Sequence, residues 1–275
     1  MSKTILITGC SSGIGYVCAH ALKKEGFNVI ASCRNEADVQ RLTTEGLTCI
    51  QLDLNDPESI SRAVLKTMRL CDHKLYALFN NGAYGQTGAL EDLPVQALKE
   101  QFQSNFFGWH QLVCEILPYM RKQGVGRIVQ NSSVLGFAAM KYRGAYNASK
   151  FAIEGWSDTL RLELFDTDIK ISIIEPGPIE TQFRANALLK FQQWIDVDNS
   201  AHKSAYQVQL ARLADTKSKN TFALPAESII EPLLDALRSR QPKLRYRITT
   251  PTKVFAILKR IMPGRWLDAI LRKAA

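Results

Sequence analysis

The chain has 275 residues, 46% of them hydrophobic and 22% charged, an ordinary globular composition that excludes a disordered chain, a collagen-like fibre or a coiled-coil rod. Its formal charge is +9, but from Arg238 onward eleven basic side chains face one acid, Asp268, so the remainder is close to neutral. Charge confined to a tail argues against a general nucleic-acid-binding surface. Along the chain, short β-branched runs alternate with helical patterns. Lys3 to Ile7 predicts a first strand, and Ile14 to Lys24 a helix ending near Gly26. Asn28 to Ser32 predicts a second strand, Asp38 to Glu45 a short helix, and Leu47 to Leu52 a third strand. Pro57 to Leu70 reads as a helix with proline in its first turn, followed by a strand over Leu75 to Asn80. Gln96 to Arg121 supports one long or two abutting helices, Arg127 to Asn131 a fifth strand, Gly144 to Phe165 a helix, and Lys170 to Glu175 a sixth strand. The region 182–226 breaks this rhythm with polar stretches such as Asp196 to Lys203 and Lys217 to Asn220, as a substrate lid would. Pro225 to Ser239 resumes as helix and Leu244 to Thr250 as a seventh strand.

Strands alternating with helices imply βαβ units and a parallel sheet. Near-continuous apolar strands fit a sheet covered on both faces. There is no internal repeat or low-complexity linker, so residues 1–275 read as a single domain. The six cysteines form no C-x-x-C pair, which removes the main support for a zinc ribbon or a thioredoxin-type site and reads as free thiols in a reducing compartment. His20, His73, His110 and His202 lack metal-ligand spacing, so no metal is expected. No apolar run approaches the ~18 residues that span a bilayer, and the N-terminus lacks a signal-peptide core. The expectation is a cytoplasmic protein, soluble or peripheral to a membrane.

Thr8-Gly9-Cys10-Ser11-Ser12-Gly13-Ile14-Gly15 follows the first strand and opens the first helix. Glycines there permit unusual backbone angles and a close approach to a pyrophosphate, which the N–H groups at the helix start would favour. The spacing is G-x-x-x-G-x-G, and it resembles the cofactor turn T-G-x-x-x-G-x-G of the short-chain dehydrogenase/reductase family. Asn80-Asn81-Gly82-Ala83, where that family usually has N-N-A-G, and Pro176-Gly177-Pro178-Ile179-Glu180-Thr181 resemble two further cofactor segments. The resemblance runs from residue 4 to 181. It implies a Rossmann-type, doubly wound α/β fold, a parallel sheet of about seven strands with helices on both faces. It also implies a cofactor held by Gly9, Ser11, Ser12, Gly13, Ile14, Gly15, Asn81, Gly82, Ala83, Pro176, Gly177, Ile179 and Thr181.

The end of the second strand selects the dinucleotide, an acid there binding the ribose of NAD and an arginine the 2′-phosphate of NADP. The segment reads Ala31-Ser32-Cys33-Arg34-Asn35, with no acid before Glu36, so Arg34 points to NADP(H). Asp53, with Leu54 beside it, matches the family's adenine contact; the competing reading is an acid capping the helix at Pro57.

Tyr146 and Lys150 stand four residues apart on a predicted helix and share a face. A free tyrosine, with a pKa of about 10, is a poor base near neutrality, and a nearby ammonium favours the phenolate. Ser133 lies 13 residues before Tyr146, and Asn105 lies 28 before Ser133. These spacings resemble the family's Asn-Ser-Tyr-Lys tetrad, with Ser132 the competing serine. By that resemblance Tyr146 transfers the proton, Ser133 binds the same substrate oxygen, Lys150 lowers the tyrosine pKa and holds the cofactor ribose, and Asn105 positions a water. The expected activity is interconversion of a lipophilic carbonyl and its alcohol, as in the hydroxysteroid/retinol dehydrogenase-like branch. A non-catalytic NADP-binding regulator on the same fold is the alternative, and a homodimer or homotetramer is implied.

Phe183 to Ile195 carries apolar residues at helical spacing, and Phe183 and Phe191 are candidates for the substrate wall. Residues 251–275 form a basic amphipathic extension broken by Pro263-Gly264. It is suited either to an anionic membrane surface or to packing on the domain or a partner subunit.

Overall fold

The computed structural model describes residues 3–214 and 221–272. The lid residues Lys217 to Asn220 and the tail residue Lys273 lie outside them.

Among the described residues, seven strands form one all-parallel sheet: β1 (Thr4–Ile7), β2 (Asn28–Cys33), β3 (Thr48–Gln51), β4 (Leu75–Asn80), β5 (Gly126–Asn131), β6 (Ile169–Glu175) and β7 (Arg245–Arg247), in spatial order β3-β2-β1-β4-β5-β6-β7. The order reverses at β1, so a crevice opens at the carboxyl ends of β1 and β4, where doubly wound folds bind ligands. The expected Rossmann-type α/β fold is therefore present.

Every residue of β1 and β4 is buried, which explains why these strands read as continuous apolar runs. Successive side chains feed opposite layers. Ile5 and Ile7 join a core with α1 (Gly13–Lys24), α2 (Glu36–Thr44) and α9 (Ile230–Arg238). Leu6 joins a second core with α3 (Pro57–Leu70), α5 (Gly108–Gln123) and α6 (Gly144–Glu163). α3 begins at Pro57 as expected, and its cap is Asp56, whose carboxylate accepts from the Glu58 N–H at 2.9 Å. The Gln96–Arg121 pattern resolves into α4 (Val95–Phe102) and α5, joined by a π-helical turn over Gln103–Phe107. β7 is shorter than its sequence pattern, because Thr249 caps α10 (Thr250–Ile261) at once.

The region expected as a lid carries α7 (Phe183–Trp194) and α8 (Lys203–Ala214) around a small apolar core of Ala89, Ala187, Phe191, Ile195, Tyr206 and Leu213. The Tyr206 hydroxyl donates to Asp92 and accepts from the Ala89 N–H, tying α8 to the loop after β4. α10 and α11 (Gly264–Leu271) end the described chain. Among the described residues, no helix is long and apolar enough to cross a membrane.

Candidate active site

The carboxyl ends of β1, β4, β5 and β6 open into one cavity of about 1170 Å³, roofed by the lid and by α10. Gly9, Ser11, Ser12, Gly13 and Ile14 line one end. Gly9 has φ +69°, and a Cβ there would stand 2.5 Å from the Gly82 Cα. The Thr8 hydroxyl accepts from the N–H groups of Asn81 and Gly82 at 2.9 and 2.8 Å, and the Asn81 side-chain amide donates to the carbonyls of Thr8 and Gly9. The exchange of glycine and alanine at 82 and 83 thus places the residue without a side chain directly against Gly9. A Cβ on Gly15 would meet the Gly9 carbonyl at 2.2 Å, so Gly15 lets α1 pack on the turn and does not itself line the cavity.

Ser12 caps α1 by its backbone alone, with no side-chain hydrogen bond to the helix start. The first N–H groups of α1 are therefore free of a side-chain cap beside the cavity, a cradle suited to a pyrophosphate. Thr181 closes it from above: a Cβ on Gly13 would lie 3.0 Å from its Cγ2. Asn81, Gly82, Ala83, Pro176, Gly177, Ile179 and Thr181 line the same cavity. The residues present fit a dinucleotide.

Arg34 is exposed at the end of β2, and its guanidinium has no ion pair among the described residues. Asp53 is not a helix cap; it accepts from the Asn55 N–H at 2.9 Å in a local turn. Leu54 is buried against Gly82 and Gly108. None of the three borders the main cavity.

Tyr146, Lys150 and Ser133 line the cavity together. Tyr146 and Lys150 lie one turn apart on α6 and are almost wholly buried. Ser133 ends the segment after β5, where its hydroxyl accepts from the Leu135 N–H at 3.1 Å. Ser132 borders the cavity too, but its hydroxyl is turned to Glu154, the next turn of α6. Lys150 Nζ donates to the Asn131 carbonyl at 2.7 Å and sits 4.5 Å from the centre of the Trp109 ring. Asn105, in the π-helical turn, is fully buried. Its Oδ1 accepts from the Tyr84 N–H, and its Nδ2 donates to the Tyr84 carbonyl and to Ser149. Both amide hydrogens are spent, so in the structure Asn105 fixes the turn after β4 to α6 one residue before Lys150.

Burial sets the electrostatics. It pushes Tyr146 up to about 12, against the influence of the Ser133 hydroxyl, which lowers it. It pulls Lys150 down to about 7, against the Glu154 carboxylate that raises it. Desolvation therefore outweighs the expected draw of the ammonium on the tyrosine, and both groups are driven towards neutrality. Behind them, Glu175 at the end of β6 is 1% exposed and meets Arg245 and Arg247 at 3.1 and 3.0 Å. Arg245 also reaches Glu154 and Asp158, which ties β7 to α6.

The structure corrects one residue of the expected substrate wall. Phe191 is buried inside the lid, its ring 5.0 Å from Tyr206, and does not border the cavity. It faces the lid's own core because Tyr206 from α8 gives it an apolar partner. Phe183 does border the cavity, its ring 5.3 Å from Tyr146. Asn131 and Trp109 were not anticipated. Asn131 was legible as the last residue of a strand entering the crevice, and Trp109 as the residue one turn after Asn105.

The model of the short chain dehydrogenases matches residues 3–190. This chain belongs to that family. Over 272 residues it is 42% identical to an uncharacterized oxidoreductase of Escherichia coli K12, YbbO, covering 99% of this chain and 95% of the relative. It is 31% identical to human retinol dehydrogenase 8, covering 88% of this chain and 80% of the relative. The solved structure of a short-chain dehydrogenase from Streptomyces avermitilis superimposes with a TM-score of 0.79 at 25% identity, covering 98% of this chain and 94% of that one. The protein is an oxidoreductase of a family that binds nicotinamide dinucleotides.

Proposed function

We propose that the protein is an NADP(H)-dependent reductase or dehydrogenase that interconverts a lipophilic carbonyl compound and its alcohol. The observation that carries this reading is the meeting of Tyr146, Ser133 and Lys150 in the cavity that begins at the glycine turn. The glycine turn, Thr181 and Asn81 would hold the pyrophosphate, and Lys150 the nicotinamide ribose. When bound, the nicotinamide supplies or accepts the hydride.

Ser133 and the Tyr146 hydroxyl converge on the substrate oxygen and fix it by two hydrogen bonds. In reduction Tyr146 gives its proton to that oxygen as negative charge develops there, and in oxidation it removes the alcohol proton. A Tyr146 held protonated by burial is ready to act as the acid. Lys150, anchored on the Asn131 carbonyl, stands one turn away to restore the proton. Phe183 and the lid exclude water from this end of the cavity. Arg34, exposed and unengaged by an acid, favours a 2′-phosphate and so NADP(H). The same reading carries a cytoplasmic dimer or tetramer, whose tail rests either on anionic lipid or on the domain or a partner subunit.

The test is NADPH oxidation, with NADH alongside, over retinal, fatty aldehydes and ketosteroids. Wild type is expected to turn over with NADPH. Tyr146→Phe is expected to lose about 10²–10⁴-fold in kcat while still binding NADPH. Arg34→Ala is expected to bring the NADPH-to-NADH preference down by at least tenfold, on the order of one lost charged hydrogen bond. A Tyr146→Phe enzyme near wild-type rate would remove the assigned acid.

A further inference from the structure

Four cationic side chains line the cavity, Arg143, Lys150, Arg184 and Arg212, with Glu180 the one acid among its described lining residues. Lys150 is accounted for by the chemistry. Arg143 and Arg212 are not. Arg143 is the residue before α6 and lies one turn ahead of Tyr146. It pairs with Gly88 in an isolated parallel bridge, and its neighbour Tyr142 packs on Tyr206 of α8, so it stands where α8 borders the cavity. Arg212 enters the same space from α8, one residue before the lid-core residue Leu213.

Neither Arg143 nor Arg212 has an ion pair among the described residues. Arg143 Nη1 donates to the Tyr142 carbonyl at 3.1 Å, which uses one of its five donors. Glu180 is exposed and pairs with neither. Burial and the charges of Arg212 and Arg184 together pull Arg143 down to about 10. The like charges of Arg143 and Arg212 in a half-buried pocket repel one another, an arrangement that costs stability unless an anion enters. Planar guanidinium forks match the oxygens of a carboxylate or phosphate, the chemistry an apolar wall alone would not supply.

We propose that Arg143 and Arg212 form an oxyanion site at the lid end of the cavity, so that the substrate is a lipophilic carbonyl compound bearing a carboxylate or phosphate group away from its reacting carbon. This rests on the reductase reading above and narrows its substrate class. The carbonyl lies at Tyr146 and Ser133, the apolar chain passes Phe183 and Ala187, and the anion ends between the two arginines.

The test is calorimetric titration of the full-length protein with octanoate, octyl phosphate and octanol, probes that need no turnover. Wild type is expected to bind at least one of the two anions about ten- to a hundredfold more tightly than octanol, as for hydrogen bonds to a charged group. Arg212→Met is expected to collapse that ratio towards one. Arg143→Lys keeps the charge but loses the fork, and is expected to lower it about tenfold. A preference for octyl phosphate or for octanoate names the group. Equal binding of all three probes by wild type, or an Arg212→Met protein with the full preference, overturns the oxyanion site. The reductase reading is separated by turnover: octanal and 8-oxooctanoate are compared with NADPH, the acid expected to show the lower KM. Anion binding that depends on Arg212 without turnover of either aldehyde would leave the site standing and sink the reductase reading.

Discussion

At the residue scale, Lys150 carries the sharpest consequence of the site's dryness. It is 1% exposed and gives up its proton near pH 7 in the fold, whereas in the unfolded chain it holds it to about 10.5. Between those values the unfolded chain binds more protons, so stability rises with pH; below about 7 the full cost of burying the cation stands. Tyr146 does not oppose this, because its pKa is raised and its contribution changes only above about 10. From about pH 7 to about pH 8.5, wild type is expected to gain about 1–2 kcal/mol relative to Lys150→Met, whose side chain has no proton to lose. Urea denaturation of both proteins at the two pH values checks this. Parallel changes in the two would mean that Lys150 keeps its proton in the fold. The same dryness explains why Lys150 needs Asn131 and Trp109: a carbonyl at 2.7 Å and an aromatic face at 4.5 Å replace part of its lost hydration.

At the element scale, the turn between β1 and α1 is built by close approach, and two glycines separate its causes. Gly9 and Gly26 both have positive φ, but a Cβ on Gly26 meets nothing within 4 Å, whereas one on Gly9 meets the Gly82 backbone at 2.5 Å. Gly26→Ala is expected to cost about 1–2 kcal/mol for its left-handed backbone alone. Gly9→Ala is expected to cost clearly more and to abolish nucleotide binding, checked by denaturation and by NADPH fluorescence titration. Equal losses would mean that β4 moves aside freely. This turn was readable from sequence because its spacing, its strand and its helix are all local. So were β4 and α3, whose limits follow an apolar run and a proline start. What escaped depended on distant neighbours. Phe191 has the spacing of a substrate wall, but Tyr206, fifteen residues on, packs against its ring. β7 lost residues to a helix that Thr249 caps. Arg143 and Arg212 come to line one cavity only through the packing of α8, and nothing in their spacing announces it.

At the scale of the whole molecule, the basic tail and the cavity share a surface. Val254, Ile257 and Ile261 repeat at helical spacing along α10 and are 45%, 60% and 71% exposed. Trp266 and Ile270 are exposed on α11. Lys253, Arg260, Arg265 and Arg272 stand exposed around it. An apolar stripe set among cations matches an anionic bilayer surface, with hydrocarbon under the stripe and lipid charge at the flanks. Val254, Phe255 and Leu271 also border the cavity, so a lipophilic substrate would leave the bilayer next to the site that uses it. Full-length protein is therefore expected to pellet with vesicles containing phosphatidylserine, to pellet less as salt is raised, and to stay in solution with phosphatidylcholine alone. Replacing Ile257 and Ile261 together with Glu is expected to remove the pelleting without loss of fold, because both side chains already face outward. Should wild type stay in solution with anionic vesicles while the double variant shifts from dimer to monomer in ultracentrifugation, the stripe covers a second copy of the chain and the lipid contact is withdrawn.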